Sequence, residues 1–110
     1  TKEAITYLQR LVKEHPKIRM VALAHVALGD YFWSTKSLYY AKTNYERVVN
    51  QHSRSELVGF ALYRLAWVYA ALSEWDKAKR SLAEAARSTL GPVKRRAEKD
   101  AFYFESRPSI

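Results

Sequence analysis

Three histidines and two close pairs of acids are the side chains of this chain that could carry acid–base or metal chemistry. They are His15, His25 and His52, and the pairs Glu74/Asp76 and Glu98/Asp100. No two histidines stand three or four residues apart, the spacing that places two metal ligands on one helical face. Members of each acid pair are two residues apart, so a helix would direct them to different sides. With no cysteine in the chain either, the pattern predicts a non-enzymatic protein without a metal or cofactor.

The histidines have structural explanations. His15 and His52 stand 37 residues apart, each just before a break in the helical pattern. A cation suits the negative end of a helix dipole at such a place. His25 lies within an apolar helical run and is predicted to be buried with a hydrogen-bond partner.

Basic residues outnumber acids, and the formal net charge is +8. Four of them form a basic edge near the end of the chain, namely Lys94, Arg95, Arg96 and Lys99. Two interpretations remain open: a solvated rim, or a surface for an acidic protein, anionic lipid or nucleic acid. Cations at a helix start oppose the helix dipole, which favours a neutralising partner. The basic residues do not recur at the groove positions of each unit, which argues against a repeat protein that reads one RNA base per unit.

The elements that must position these residues repeat along the chain. Shifting the sequence by 37 residues aligns apolar positions with apolar ones and small positions with small ones. The aligned sets include Ala4/Ala41/Ala78, Leu8/Tyr45/Leu82, Leu28/Leu65, Gly29/Ala66 and Phe32/Tyr69. Within each unit apolar residues recur at intervals of three and four, which predicts α-helices. Such self-similarity is typical of helical repeats that bury their faces against one another.

The periodicity predicts six helices, over residues 2–14, 18–34, 37–51, 55–72, 74–88 and 93–106. The breaks between them fall at His15-Pro16, Ser34-Thr35, residues 51–55, Ser73 and Gly91-Pro92. Proline cannot continue a helix, and glycine commonly ends one. The fold class expected is therefore all-α.

The recurring pattern resembles the tetratricopeptide repeat, whose signature reads W-x2-L-G-x2-Y, then A-x3-F, then P. One unit reads His25-x2-Leu28-Gly29-x2-Phe32 and Ala41-x3-Tyr45, and the next reads Leu62-x2-Leu65-Ala66-x2-Tyr69 and Ala78-x3-Leu82. Two departures are a histidine at the tryptophan position and a unit of 37 residues instead of about 34. The resemblance implies an α-solenoid of antiparallel helix pairs forming a single domain over residues 1–110. Its parts are a half-repeat at 1–16, repeats at 18–53 and 55–90, and a half-repeat at 93–106.

The resemblance also implies a function, that of a non-catalytic scaffold binding a protein or peptide in a concave groove lined by the first helix of each pair. The residues expected to bind the partner are Asp30, Trp33, Phe60, Tyr63, Arg64 and Trp67. Alignment places Val26, Ala97, Asp100, Ala101 and Phe104 on the same face. Tryptophan, tyrosine and arginine dominate binding hot spots, although aromatic residues at helical spacing also serve as core. A clamp for a peptide C-terminus is not expected, because only Arg64 could serve at its positions.

The long turns between units, HPKIRMVAL and HSRSELVGFAL, resemble those of repeat proteins from bacterial cell envelopes. This resemblance implies a periplasmic or cell-envelope location, with the cytoplasm as the alternative, and a membrane reached only through a longer parent protein. The chain begins on Thr1, so we expect a piece of a longer array. Its end residues Leu8, Leu11, Phe102 and Phe104 should then lack part of their cover and permit self-association. The alternative function is a basic helical module that binds nucleic acid or anionic lipid.

Overall fold

The computed structural model describes residues 2–14, 20–52, 57–88 and 91–107, and within these ranges the regular structure is entirely α-helical. The six helices are α1 Lys2–Glu14, α2 Met20–Ser34, α3 Leu38–Gln51, α4 Val58–Ala71, α5 Trp75–Ser88 and α6 Pro92–Glu105. The predicted fold class, an all-α array of helical repeats, is confirmed. The predicted ends near residues 18–19 and 55–56 lie outside the described residues, as do His15 and Pro16.

Each helix packs against the next one along the chain, and α4 also contacts α6. The α2–α3 and α4–α5 interfaces are the most extensive, which matches the two complete helix pairs that the repeats predict. An array whose contacts run mainly between neighbours is the arrangement that distinguishes solenoids from bundles.

The turn inside each helix pair has the same backbone in both repeats. Lys36 and Ser73, which stand 37 residues apart, both adopt the left-handed conformation, with φ of 64° and 61°. The amide of Ser37 donates to the carbonyl of Phe32 at 2.8 Å, and that of Glu74 donates to Tyr69 at 2.9 Å. This bond satisfies a carbonyl that the ending helix leaves without a partner. The 37-residue register therefore extends from side chains to backbone geometry.

Small residues of the signature are buried at the helix interfaces, and the large side chain of Tyr45 packs directly against one of them, Gly29. Gly29 is buried, and Ala41, Ala66 and Ala78 are fully inaccessible to solvent. Tyr45 is likewise fully buried. The small positions of the repeat signature are thus buried as predicted, and such close contacts leave little room for larger side chains.

The ends of the array differ from each other. Phe102 is 83% exposed, and Leu8 and Leu11 of α1 are only half-buried, so these three residues lack part of their cover, as expected. The expectation for Phe104 is wrong, because this side chain is only 1% exposed. Its ring lies between Trp67 and Trp75, at centroid distances of 4.9 and 5.6 Å. Tryptophan side chains of the preceding pair are large enough to enclose it.

His25 is buried against α3, as its place in the sequence predicts. Its Nδ1 lies 2.9 Å from Oδ1 of Asn44, and its ring centroid lies 6.0 Å from that of His52. Burial lowers the pKa of His25; the hydrogen bond to Asn44 opposes this shift, while His52 and Arg47 add to it. A charged imidazolium at this place would face two basic neighbours within the α2–α3 interface.

Acidification is therefore expected to destabilise the chain through His25. Its folded pKa lies below the unfolded value of 6.5, so the unfolded chain takes up the proton first as the pH falls. The stability that neutral His25 contributes is fully present above the unfolded pKa. It is lost as the pH falls toward the lowered folded pKa. Circular-dichroism melts between about pH 7.5 and 5.5 should show a decreasing melting temperature, and His25→Gln should reduce that slope. An unchanged slope in the variant would contradict this assignment.

Candidate partner-binding site

A pocket between α4 and α6 brings together residues that the sequence analysis assigned to two separate surfaces. It is lined by Phe60, Tyr63, Arg64, Pro92, Val93, Arg95, Arg96 and Lys99. Its volume is about 560 Å³, within the range of sites that enclose a small ligand or an anchoring side chain. Three predicted groove residues and three residues of the basic edge thus share one concave surface, which we call the α4–α6 pocket.

Tyr63 connects the two helices at one end of this surface. Its hydroxyl donates to a carboxylate oxygen of Asp100 at 2.7 Å, and the two residues occupy equivalent positions in successive units. Burial raises the pKa of Tyr63, and the hydrogen bond to Asp100 raises it further, so the hydroxyl stays a donor at neutral pH. The bond occupies part of the Asp100 carboxylate and holds the tyrosine ring in place along the pocket.

Arg64 is the cation on the α4 side. Its guanidinium lies 5.1 Å from the ring centroid of Phe60, within cation–π range. Its Nε is buried and has no hydrogen-bond partner among the described residues. Buried polar groups are normally hydrogen-bonded, so an unpartnered Nε at this place is unusual.

The α6 side supplies three cations, two near the helix start and Lys99 in the middle of the helix. Arg95, Arg96 and Lys99 line the pocket, whereas the Lys94 ammonium donates to the backbone carbonyl of Ala86 on α5 at 2.9 Å. The structure therefore separates Lys94 from the other three members of the basic edge. Gly91 is the N-cap residue of α6, and no side chain caps the helix there. The backbone amides of the first turn therefore add to the positive potential.

Trp67 lies outside the residues that line the pocket and packs against α6. Its ring stacks on Tyr103 at a centroid distance of 5.8 Å and meets Phe104 edge-on at 4.9 Å. The Arg107 guanidinium lies 4.6 Å from the Tyr103 ring centroid and extends this aromatic cluster. Trp67 is thus placed to hold α6 in position beside the pocket.

Asp30 and Trp33 are not brought to the pocket either. Asp30 accepts a hydrogen bond from the hydroxyl of the fully buried Tyr45, whose pKa is raised by burial and by that carboxylate. Trp33 is half-buried and packs against the core. Their immediate contacts are thus within the fold, on the α2–α3 side of the array.

Two further residues assigned to the groove face are core residues. Val26 is 5% exposed and Ala97 is 1% exposed, so the expectation that they line a groove is wrong, as it is for Phe104. The first helices α4 and α6 of successive pairs contact each other, and this contact buries part of the α6 face that the alignment assigned to the groove. Pro92 and Val93, which the sequence analysis did not assign to the site, line the pocket instead. The sequence feature that could have assigned them to the site is their position at the start of α6, close to three cations.

Within the described ranges, no group of three or more histidine, cysteine or acidic residues could hold a metal ion. The described helices also include none with the length and hydropathy needed to cross a membrane.

The helix pairing and the repeated turn define the chain as a helical-repeat protein. A family model described as tetratricopeptide repeat matches residues 1–17 and 60–88, which include α1, most of α4 and all of α5. These matches support a place in the tetratricopeptide repeat family, whose members generally mediate protein–protein interaction. Searches of curated proteins and of solved structures found no significant match to this chain.

Proposed function

We propose that this chain is a protein-interaction scaffold that holds a segment of a partner protein in the α4–α6 pocket. The observation that carries the proposal is the convergence of an aromatic wall, Phe60 and Tyr63, with four cations on one concave surface. Aromatic residues and arginine give the largest contributions to protein interfaces, and a concave surface allows them to surround a single anchoring side chain.

The rigidity of the pocket supports the same function. Tyr63 is bonded to Asp100, and Trp67 stacks on α6, so the two walls are linked directly. A preformed site loses little conformational entropy when a partner segment binds. The partner would add apolar contacts to Phe60 and hydrogen bonds to the cations.

A place in a bacterial cell-envelope assembly is part of this proposal. It is based on the long turns between units, of which residues 15–19 and 53–56 lie outside the described ranges. An export or lipoprotein signal at the start of the complete gene would support this location, and a complete gene without one would contradict it.

The binding proposal is tested with a random peptide library displayed on phage. We expect selected peptides to bind the purified chain, and Phe60→Ala to weaken their binding about tenfold, the loss typical of an interface anchor. Tyr39→Ala is the matched control, since Tyr39 is an aromatic residue on α3 that is 68% exposed and does not line the pocket. Calorimetric titration measures the affinity, and a circular-dichroism melt confirms that each variant folds. Equal affinity of wild type and Phe60→Ala would contradict the proposed site.

A further inference from the structure

We propose that the α4–α6 pocket recognises an acidic segment, in which side-chain carboxylates of aspartate or glutamate flank one apolar anchor residue. This inference specifies the chemistry of the partner and rests on the proposed function.

The charge of the pocket is the first argument. Four of its lining residues are cations, and none of the described lining residues is an acid. Arg64, Arg95, Arg96 and Lys99 form no salt bridge with any other described residue. A concave surface lined by one sign of charge focuses the electrostatic potential. Arg95 and Arg96 lie near the positive end of α6, so an anion bound there would interact favourably with both their charges and the helix dipole.

The second argument concerns geometry at Arg64. The buried Nε of this residue has no partner, while Phe60 holds one face of the guanidinium. Arg64 lines the pocket, and a planar guanidinium held against a ring suits charge-assisted hydrogen bonds to a carboxylate. Arg95 and Arg96 are exposed at the opposite wall, so a second carboxylate of the same segment can be bound there.

The distribution of the cations favours a protein segment over nucleic acid. Phe60, Tyr63 and Arg64 correspond to Leu23, Val26 and Ala27 of α2 in the preceding unit, which carry no charge. The cations of the pocket therefore do not continue onto the equivalent face of the preceding unit, as a track for a phosphate backbone would require. Arg64 already lies over the Phe60 ring, on a face that a base would need for stacking.

The test compares the peptides that wild type and variants select from the same phage library. The C-terminus of each peptide is fused to the coat protein, so only side-chain carboxylates are presented. We expect wild type to enrich peptides with acids on both sides of an apolar residue. For a synthetic copy with both ends blocked, Arg64→Met and the double variant Arg96→Gln/Lys99→Gln should each weaken binding at least about tenfold. Arg96 and Lys99 are exposed, so the double variant is expected to fold normally.

Two controls separate the pocket from general charge. Lys13→Met removes one positive charge from an exposed site on α1 and should leave the affinity unchanged. A copy of the peptide with asparagine and glutamine in place of its acids should bind at least about tenfold more weakly than the acidic one.

Three results would overturn the inference. Peptides that bind through Phe60 without any enrichment of acids would leave the proposed function standing and remove only the acidic specificity. Binding of a copy with a free C-terminus, but not of the blocked copy, would make the pocket a reader of chain ends. An oligouridylate that competes with the acidic peptide and binds more tightly than it would make the site a nucleic-acid site.

Discussion

Replacing Phe104 with alanine is expected to undock α6 and to lower the free energy of unfolding by about 3–5 kcal/mol, the usual range for a buried aromatic residue. The side chain is 1% exposed and lies between two tryptophan rings of α4 and α5. Removing it would take from both rings their contact with Phe104 and would open a cavity where α6 packs against α4 and α5.

Phe102→Ala is the matched control for this prediction. It removes the same side chain from the same helix, at a position that is 83% exposed. Urea unfolding gives the free energies, and amide hydrogen exchange shows whether protection is lost across residues 92–105. If both variants lose the same stability, Phe104 does not hold α6 on the array. Because the α4–α6 pocket depends on that docking, Phe104→Ala should also abolish peptide binding.

Replacing Gly29 with alanine is expected to cost about 1–3 kcal/mol of stability, the range for overpacking a tight interior. A Cβ at this position would lie 2.6–2.8 Å from three ring atoms of Tyr45. That ring is fully buried, and its hydroxyl is bonded to Asp30, so it cannot move aside without losing contacts. In an exposed helix the same change would stabilise the protein by about 1 kcal/mol, because alanine has the higher helix propensity. The predicted effect on stability therefore has the opposite sign to the effect of helix propensity alone.

A double-mutant cycle tests this explanation. In a Tyr45→Leu background the ring is absent, so Gly29→Ala should cost much less or become stabilising. Tyr45→Leu alone supplies the reference, since it also removes the hydrogen bond to Asp30. Free energies of unfolding from urea titration give the coupling energy between the two sites. A Gly29→Ala cost that is the same in both backgrounds would contradict the predicted contact.

The number, type and approximate bounds of the helices were determined by the sequence alone. Apolar residues spaced three and four apart indicate which face of a helix is buried. The recurrence of this pattern every 37 residues indicates that each unit packs against its neighbour. Gly29 and Ala78 were therefore recognised as close-contact positions. The left-handed turn residues Lys36 and Ser73 follow the same register, although neither is the glycine that usually marks such a turn.

The candidate site was decided by tertiary structure. Sequence register shows which residues share one helix face, but it does not show how far the next pair rotates over that face. The observed packing buries Val26, Ala97 and Phe104, uses Asp30 to bind Tyr45 and turns Lys94 toward α5. It also places Arg95, Arg96 and Lys99 opposite Arg64, although they stand more than thirty positions away from it in the sequence. A pocket between two helices depends on their separation and rotation, and those are set by the whole set of packed side chains rather than by any local pattern.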